Sequence, residues 1–179
     1  MNLDGFALPV KKLKGTDPVE TLDLSGKNLG VASAVVIASL ISVNGALTRV
    51  DVRQNNIAGD GAVQLAAAVL GNLKIDVFNE IPIKEMRANS LTELDLNGKG
   101  VGVEGGMVVV GLIPVMGGLT KMSLAHTDLK EEGTKAICEA LKQNKTLKEL
   151  DLSGNIGGEA GAKHVADMLG VNNALTKIS

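Results

Sequence analysis

The hexapeptide Leu91-Thr92-Glu93-Leu94-Asp95-Leu96 returns as Leu147-Lys148-Glu149-Leu150-Asp151-Leu152, and looser copies begin at Val19, Leu47, Leu119 and Leu175. These starts lie 28, 44, 28, 28 and 28 residues apart. A nearly fixed period of that length marks an array of stacked units, so every local motif has to be read against its copies. Each unit runs L-x-x-L-x-L, then a small or polar turn, then a longer apolar-patterned stretch. In Leu22-Asp23-Leu24 two leucines point one way and the aspartate the other, as a half-buried strand requires. From Gly133 to Leu141 the period changes: Ile137, Cys138 and Leu141 share one face and Lys135 and Glu139 the other, which is helical spacing. One unit cannot bury both a strand face and a helix face alone, so neighbours must stack.

On these residues the chain resembles leucine-rich repeat proteins of the ribonuclease-inhibitor type, from about Val19 to Ser179. The resemblance implies an α/β class fold: a right-handed solenoid, a horseshoe arc with a parallel sheet on the concave face and helices on the convex face. Ser33, Gly61, Gly105, Gly133 and Gly161 share one position, and Ala38, Ala66, Val110, Cys138 and Ala166 share another, expected to face the strand layer. The asparagine of the family's turn stands at Asn55 and Asn155 but not at Lys27, Lys99 or Thr127. Those three turns are expected to be satisfied by water or backbone.

The long interval has an internal explanation. Ile81-Pro82-Ile83-Lys84-Glu85-Met86-Arg87 echoes Leu8-Pro9-Val10-Lys11-Lys12-Leu13-Lys14, and each precedes an L-D-L-x-G-K turn, at Leu22 to Lys27 and Leu94 to Lys99. A larger unit is therefore duplicated. In it a short repeat, with Ile75-Asp76-Val77 as its strand and a brief helix started by Pro82, precedes a full repeat; Leu3-Asp4-Gly5-Phe6 is the matching start. Pro9 and Pro82 suit the first turn of a helix, where no N–H is needed. The expected organisation is a single domain over residues 1–179. It comprises a short N-terminal repeat 1–18, full repeats starting near 19, 47, 91, 119 and 147, a short repeat near 72–90 and a truncated repeat 175–179, with about seven or eight parallel strands.

Composition excludes several function classes. Phe6 and Phe78 are the only aromatics, so the core must be Leu, Val, Ile and Ala. Net charge is −2 and no basic stripe with interleaved aromatics occurs, which argues against nucleic acid. The apolar run from Val31 to Val43 is too short and too serine-rich to cross a membrane. Met1-Asn2-Leu3-Asp4-Gly5 lacks a basic segment leading into an apolar one, and the single cysteine, Cys138, cannot pair internally; an intracellular, cytoplasmic setting is expected.

Enzyme-like patterns dissolve on comparison with their copies. Gly100-Val101-Gly102-Val103-Glu104-Gly105 spells G-x-G-x-x-G, but the same turn reads Asn28-Leu29-Gly30-Val31-Ala32-Ser33 and Asn56-Ile57-Ala58-Gly59-Asp60-Gly61 elsewhere. His126 and His164 fall at different repeat positions, and neither they nor Cys138 has metal-ligand or nucleophile spacing with carboxylates. The chain is expected to be no enzyme and to use no cofactor or metal.

What remains is surface. On the concave face one column reads Asp23, Asp51, Asp76, Asp95, Ser123 and Asp151, and another reads Thr21, Arg49, Lys74, Glu93, Lys121, Glu149 and Lys177. With Arg53 beside them, Asp23, Arg49, Asp51, Asp76, Glu93, Asp95, Lys121, Glu149 and Asp151 form a candidate protein-binding set. On the convex face the first three full repeats place Val35, Val36, Val43, Val63, Leu70, Met107, Val108 and Val115 at outer helical positions, where the later repeats carry Lys135, Glu139 and Lys163. That contrast marks a candidate apolar contact face. Leu175 and Ile178 begin a strand that no following turn covers, a candidate assembly edge. The resemblance thus implies a non-enzymatic interaction module or scaffold for protein partners, with self-association through the convex face or the C-terminal edge. Similar repeats also occur in Ran GTPase-activating proteins, innate immune sensors and cytoskeletal subunits. Regulation of a small GTPase, or a structural role in a larger assembly, is therefore the alternative.

Overall fold

The computed structural model describes residues 1–155 and 158–179. The chain opens with a hairpin of β1 (Asn2–Leu3) and β2 (Phe6–Ala7), followed by the short helix α1 (Val10–Lys14). Two strand–helix repeats come next: β3 (Thr21–Asp23) with α2 (Val31–Ile41), and β4 (Arg49–Asp51) with α3 (Gly59–Gly71). A second hairpin, β5 (Val77–Phe78) and β6 (Ile81–Pro82), leads into a second short helix, α4 (Ile83–Arg87). Three repeats follow: β7 (Glu93–Asp95) with α5 (Gly102–Leu112), which tightens into a 3-10 turn at Ile113–Val115; β8 (Lys121–Ser123) with α6 (Lys130–Leu141); and β9 (Glu149–Asp151) with α7 (Gly158–Leu169). The strand β10 (Lys177–Ile178) closes the order.

The expected α/β solenoid is present. Parallel strands are joined by crossover helices, whose winding is right-handed because twisted strands accept only that return path. Seven strands, β3 to β5 and β7 to β10, pair in parallel, within the expected seven or eight. The described residues form ten short strands, and two pairs of them, β1 with β2 and β5 with β6, are antiparallel. The strand layer is split into two four-stranded sheets, β3-β4-β5-β6 and β7-β8-β9-β10. The helix layer is not split: α2 packs on α3, α3 on α5, α5 on α6 and α6 on α7.

Both hairpins turn through two residues with positive φ, Asp4 and Gly5 at 52° and 81°, and Asn79 and Glu80 at 48° and 65°. Two consecutive left-handed residues make the turn whose twist matches antiparallel strands. The duplicated unit is thus a hairpin plus a short helix, and Pro9 and Pro82 sit at the helix N-caps, one place before the first turn. Each hairpin tip reaches the start of a later helix. Asp4 accepts from the Gly30 N–H at 2.8 Å and from the Ser33 hydroxyl at 2.6 Å. Asn79 donates to the Val101 carbonyl at 2.9 Å and to Glu104 at 3.0 Å.

The core runs the length of the array between strands and helices, from Leu13, Leu24 and Leu29 through Val50, Phe78 and Leu96 to Leu124, Ile137 and Leu152, all buried. The small position recurs because helices approach closely there. A Cβ on Gly61 would stand 2.9 Å from the Val31 Cα, so α2 and α3 could not hold their present contact with any larger residue. At the other recurring position Ala38, Ala66 and Cys138 are buried, but Val110 is half-buried and Ala166 is exposed. Among the described residues no helix lies beyond α7 to cover it.

The turns are closed by asparagine amides from neighbouring repeats. Asn55 Oδ1 accepts from the N–H groups of Lys27 and Leu29, and its Nδ2 donates to the carbonyls of Leu24 and Val52. Asn155 does the same for Thr127, Leu129 and Leu124. The turns at Lys27 and Thr127 are therefore satisfied by a side chain one repeat on, not by water or backbone as expected; the turn at Lys99, bonded to the Leu96 carbonyl, uses backbone. A second ladder, absent from the sequence reading, lies where helices return to strands. Asn44, Asn72 and Asn172 each donate to carbonyls of the preceding repeat and accept from the N–H groups that follow them.

Removing one rung strands several buried backbone groups at once, each worth roughly 1–3 kcal/mol when left unsatisfied. Asn55→Ala should therefore lower unfolding free energy by about 2–4 kcal/mol, whereas Lys99→Ala, at an exposed side chain, should change it by less than about 0.5 kcal/mol. Urea unfolding followed by circular dichroism distinguishes them, and equal midpoints for the two variants would refute the ladder's role.

Candidate protein-binding faces

On the concave side the parallel ladders set side chains in lines. Thr21, Arg49 and Val77 are neighbours in the first sheet, and Glu93, Lys121, Glu149 and Lys177 in the second. The next residue of each strand points inward: Leu22, Val50 and Phe78, then Leu94, Met122 and Leu150, are buried.

This register corrects the expected columns at one repeat. The N–H groups of Asp76 and Val77 both donate to the Thr48 carbonyl, which puts Asp76 beside Thr48 and Val77 beside Arg49. Asp76 and Lys74 consequently leave the two columns, and the residue in line with Asp23 and Asp51 is Asn79, which is fully buried. Matching the spelling Ile75-Asp76-Val77 to Leu-Asp-Leu set the strand three residues early. The hydrogen-bond ladder keeps the 28-residue step from Asp51 to Asn79 across the hairpin. Asp76 instead stands 3.8 Å from Lys84 of α4.

The remaining aspartates close the strand ends. Asp23, Asp51, Asp95 and Asp151 each accept, through Oδ1, the N–H two residues on, at 2.8, 3.0, 3.0 and 3.0 Å. Ser25 and Ser153 add their hydroxyls to Asp23 and Asp151 at 2.6 Å. These hydroxyl and amide donors hold both carboxyls below the ordinary carboxylate range. Asp51 is committed further. Arg53 grips both its oxygens, stands 3.6 Å from Glu80, and donates across the sheet break to the Lys99 carbonyl at 3.2 Å. Arg49 lies 3.9 Å from Glu80.

In the second sheet the outer line alternates in sign and pairs laterally: Lys121 stands 3.1 Å from Glu93 and 4.0 Å from Glu149, and Lys177 is 3.4 Å from Glu149. The Glu93 contact raises the Lys121 pKa. These side chains, with Asp95, Ser123, Asp151 and Ser179, line a shallow depression of about 250 Å³. Strands β7 to β10 thus present a rigid row of alternating charge, bounded by an acidic row at Asp95 and Asp151.

The convex expectation requires a correction. Val108 is fully buried, because α5 lies between α3 and α6 and both cover it. Val35, Val36, Leu70 and Met107 are half-buried; a Cβ on Gly111 of α5 would run into the Leu70 side chain, which shows how closely α3 and α5 meet. Val43, Val63 and Val115 are exposed, at 76%, 50% and 49%. Leu73, at 77%, escaped notice in the sequence because it sits in a turn, outside any helical pattern. Val43, Leu73, Val115 and the exposed Val171 all follow a helix or end one, at the helix-to-strand turns, while Val31 and Val63 are exposed at the start of α2 and within α3. Leu175 and Ile178 are half-buried beside a hollow of about 130 Å³ that Leu169, Thr176 and Lys177 complete.

The enzyme-like patterns acquire structural roles. Gly100 and Gly102 have φ of 59° and 75°, and the Glu104 carboxyl folds back over Gly102, occupying the helix start where a phosphate would need to sit. Burial pushes the Cys138 thiol up to about 11. His126 is exposed, and His164 stands 3.7 Å from Glu131. Among the described residues no group of three His, Cys, Asp or Glu side chains could hold a metal ion, and no helix is long and apolar enough to cross a membrane.

A family model described as leucine-rich repeat matches residues 46–66 and 143–160. The ribonuclease inhibitor of Sus scrofa is 30% identical, over 84% of this chain and 36% of that protein, and the ribonuclease inhibitor of Mus musculus is 28% identical over the same shares. The chain therefore spans little more than a third of the length of these relatives. Among solved structures, leiomodin-1 actin-binding site 2 is similar at 17% identity and a TM-score of 0.40, over 96% of this chain and 76% of that one. A tropomodulin C-terminal domain of Caenorhabditis elegans is similar at 11% identity and a TM-score of 0.40, over 91% and 90%.

Two tests follow from this geometry. A depressed folded-state pKa means that Asp151 contributes stability above its ordinary value of 3.8 and loses it as pH falls through the lower folded value. Asp151→Asn keeps the Oδ1 acceptor but cannot titrate, so it should flatten the acid limb of the stability profile below about pH 4; an unchanged limb would remove Asp151 from the acid response. Val108→Glu, which buries an unpaired carboxylate, should cost roughly 3 kcal/mol or more, while Val43→Glu with Val115→Glu should leave the melting temperature within about 2 °C of the parent. Equal melting temperatures for the two variants would return Val108 to the surface.

Proposed function

Because the chain is a leucine-rich repeat array of the ribonuclease-inhibitor-like type, we propose that it works as a non-enzymatic protein–protein interaction module. The relatives are named as inhibitors of a ribonuclease, that is, as proteins that bind a protein. Their particular target is not carried over to a chain that spans 36% of their length. What carries over is the mode, a partner seated on an extended rigid surface.

The observation that carries this reading is the row Glu93, Lys121, Glu149 and Lys177 on β7 to β10, with Asp95 and Asp151 beside it. Its members are held in fixed register by the strands, so a partner meets a preset pattern and loses little entropy in ordering it. In the first sheet Asp51 has both oxygens held by Arg53, whereas among the described residues no ion pair holds its counterparts Asp95 and Asp151. We therefore assign docking to the second sheet, and to the carboxylates of Asp95 and Asp151 the recruitment of Lys or Arg side chains of the partner. The exposed turn residues Val43, Leu73 and Val115 supply a second, smaller contact available for self-association or scaffolding.

The test is partner capture from source-cell extract, then affinity at several salt concentrations for the identified partner. Charge-reversing Lys121→Glu should weaken capture at least tenfold, since it sets three like charges side by side and spoils the pattern. Asp95→Asn with Asp151→Asn should weaken capture and flatten its salt dependence, while the turns hold because asparagine keeps the acceptor oxygen. Unchanged affinity and salt response in both folded variants would move the interface off the second sheet. Stimulated GTP hydrolysis across a panel of small GTPases would instead assign the chain a regulatory role.

A further inference from the structure

Glu104 is the only buried charged-type residue among those described, 4% exposed in the first turn of α5. It lies where the strand layer is broken. Its Oε1 accepts one side-chain hydrogen bond, from Asn79 at the tip of the β5–β6 hairpin. The other oxygen is pressed against Gly102, where any Cβ would come within 2.7 Å of it. Asn79 in turn bonds Val52 and Val101, so this one side chain ties β4, the hairpin and the start of α5 together.

We propose that Glu104 is a proton-operated latch between the two halves of the strand layer. Neutral, the carboxyl stays dry and keeps the hairpin tip on α5; ionised, it holds Asn79 more strongly but cannot be hydrated while the junction is closed, and this larger desolvation cost opens the junction to water and lets the two sheets shift against each other. The continuous helix layer acts as the hinge, since α3 and α5 remain packed while no strand hydrogen bonds cross the break.

The surroundings support a proton affinity in the neutral range. Burial raises the Glu104 carboxyl from 4.5 to about 7, against the opposing pull of its own N–H and of Asn79. Asp128, before α6, raises it further and Lys130, at the start of α6, lowers it. The other charged groups at this end of the packed helices are engaged or exposed: Glu132 of α6 accepts from the Gly59 N–H of α3, Glu131 faces His164, Asp60 of α3 is exposed, and Glu80 faces Arg49 and Arg53. The counterpart in the first unit, Asp4 on Gly30 and Ser33, is an exposed carboxylate with a lowered pKa, so only the second junction responds near neutrality.

The sign follows from linkage. A raised folded-state pKa costs nothing below 4.5, destabilises the closed junction increasingly as pH rises from 4.5 to about 7, and levels off above that. Between pH 5.5 and 8 the opening equilibrium should rise about 25-fold. Hydrogen exchange on the intact protein, corrected for intrinsic rates, should show that rise in peptides covering residues 77–83 and 101–106 but not in 133–141. Glu104→Gln should abolish it while keeping protection high at pH 8. Carbon-13 carboxyl NMR of the unmodified protein supplies a readout that needs no variant, with one glutamate titrating near 7. A Glu104 midpoint near 4.5, a pH effect spread evenly over all peptides, or the same pH profile in folded Glu104→Gln would overturn the latch.

Discussion

The array depends on carboxamides that close backbone turns belonging to another repeat. Asn55 serves Lys27 and Leu29, Asn72 serves the carbonyls of Ile41 and Asn44, Asn155 serves Thr127 and Leu129, and Asn172 serves Leu141 and Asn144. An asparagine is both donor and acceptor at one short side chain, so a single residue can satisfy an N–H pair on one side and a carbonyl pair on the other. Hydrophobic alternation already selects the register, since a slip of one residue would turn the inward leucines to solvent; these bonds reinforce it, because the same slip would leave their backbone partners unpaired. Stability is therefore shared between neighbours, and no repeat is independent of the next.

The break in the strand layer is the point where this coupling changes hands. Between α3 and β7 the chain spends its residues on a hairpin and a five-residue helix, too short to span the convex side. The helix layer closes over the gap by packing α3 directly on α5. Two side chains, Arg53 and Asn79, then tie the junction, and a third, Arg87, anchors α4 to the end of α3. Arg53 reaches the Lys99 carbonyl, Arg87 donates to the carbonyls of Val69, Leu70 and Ile75, and Asn79 meets Glu104. Guanidinium forks suit this task, since one planar group satisfies several carbonyls at a helix end that lost its regular successor. The same hairpin-and-helix plan at the N-terminus, with Asp4 on Gly30 and Ser33, shows that the device is part of the duplicated unit.

The periodic part of this was legible from the residues. Leucine alternation located the strands, and the small position located the close contact of α2 with α3 at Gly61; at Gly105 and Gly133 it makes room instead for Val101, Ile81 and Leu129. The non-periodic part was not. The hairpin tip Asn79-Glu80 carries none of the glycine that usually announces such a turn, so the strand was placed at Ile75-Asp76-Val77 by its spelling. The convex face misled for a different reason: a helix sandwiched between two others is buried on more than one side, and Val108 looks the same in sequence as the half-buried Val36. Leu73 and Glu104 show the limit from both directions. One is an apolar residue exposed in a turn and the other an acid buried in a helix, and composition predicts the reverse for each.

Charge on the concave face needs weighing by sign and spacing together. In the second sheet Glu93, Lys121, Glu149 and Lys177 cancel along their own line, so the row exerts little long-range pull and its exposed pairs add little to stability. Such a row recognises by pattern at contact distance, since a partner that presents the wrong sign at one step must leave a charge unpaired. The aspartate line behaves differently. Asp95 and Asp151 use Oδ1 to close turns, which fixes each carboxylate in orientation and leaves the other oxygen for a partner. A carboxylate already ordered by the backbone loses almost no further freedom on binding, so its contribution is determined before the partner arrives. In the proposed docking role, the second sheet has its selectivity set by strand register and its approach steered by two aspartates.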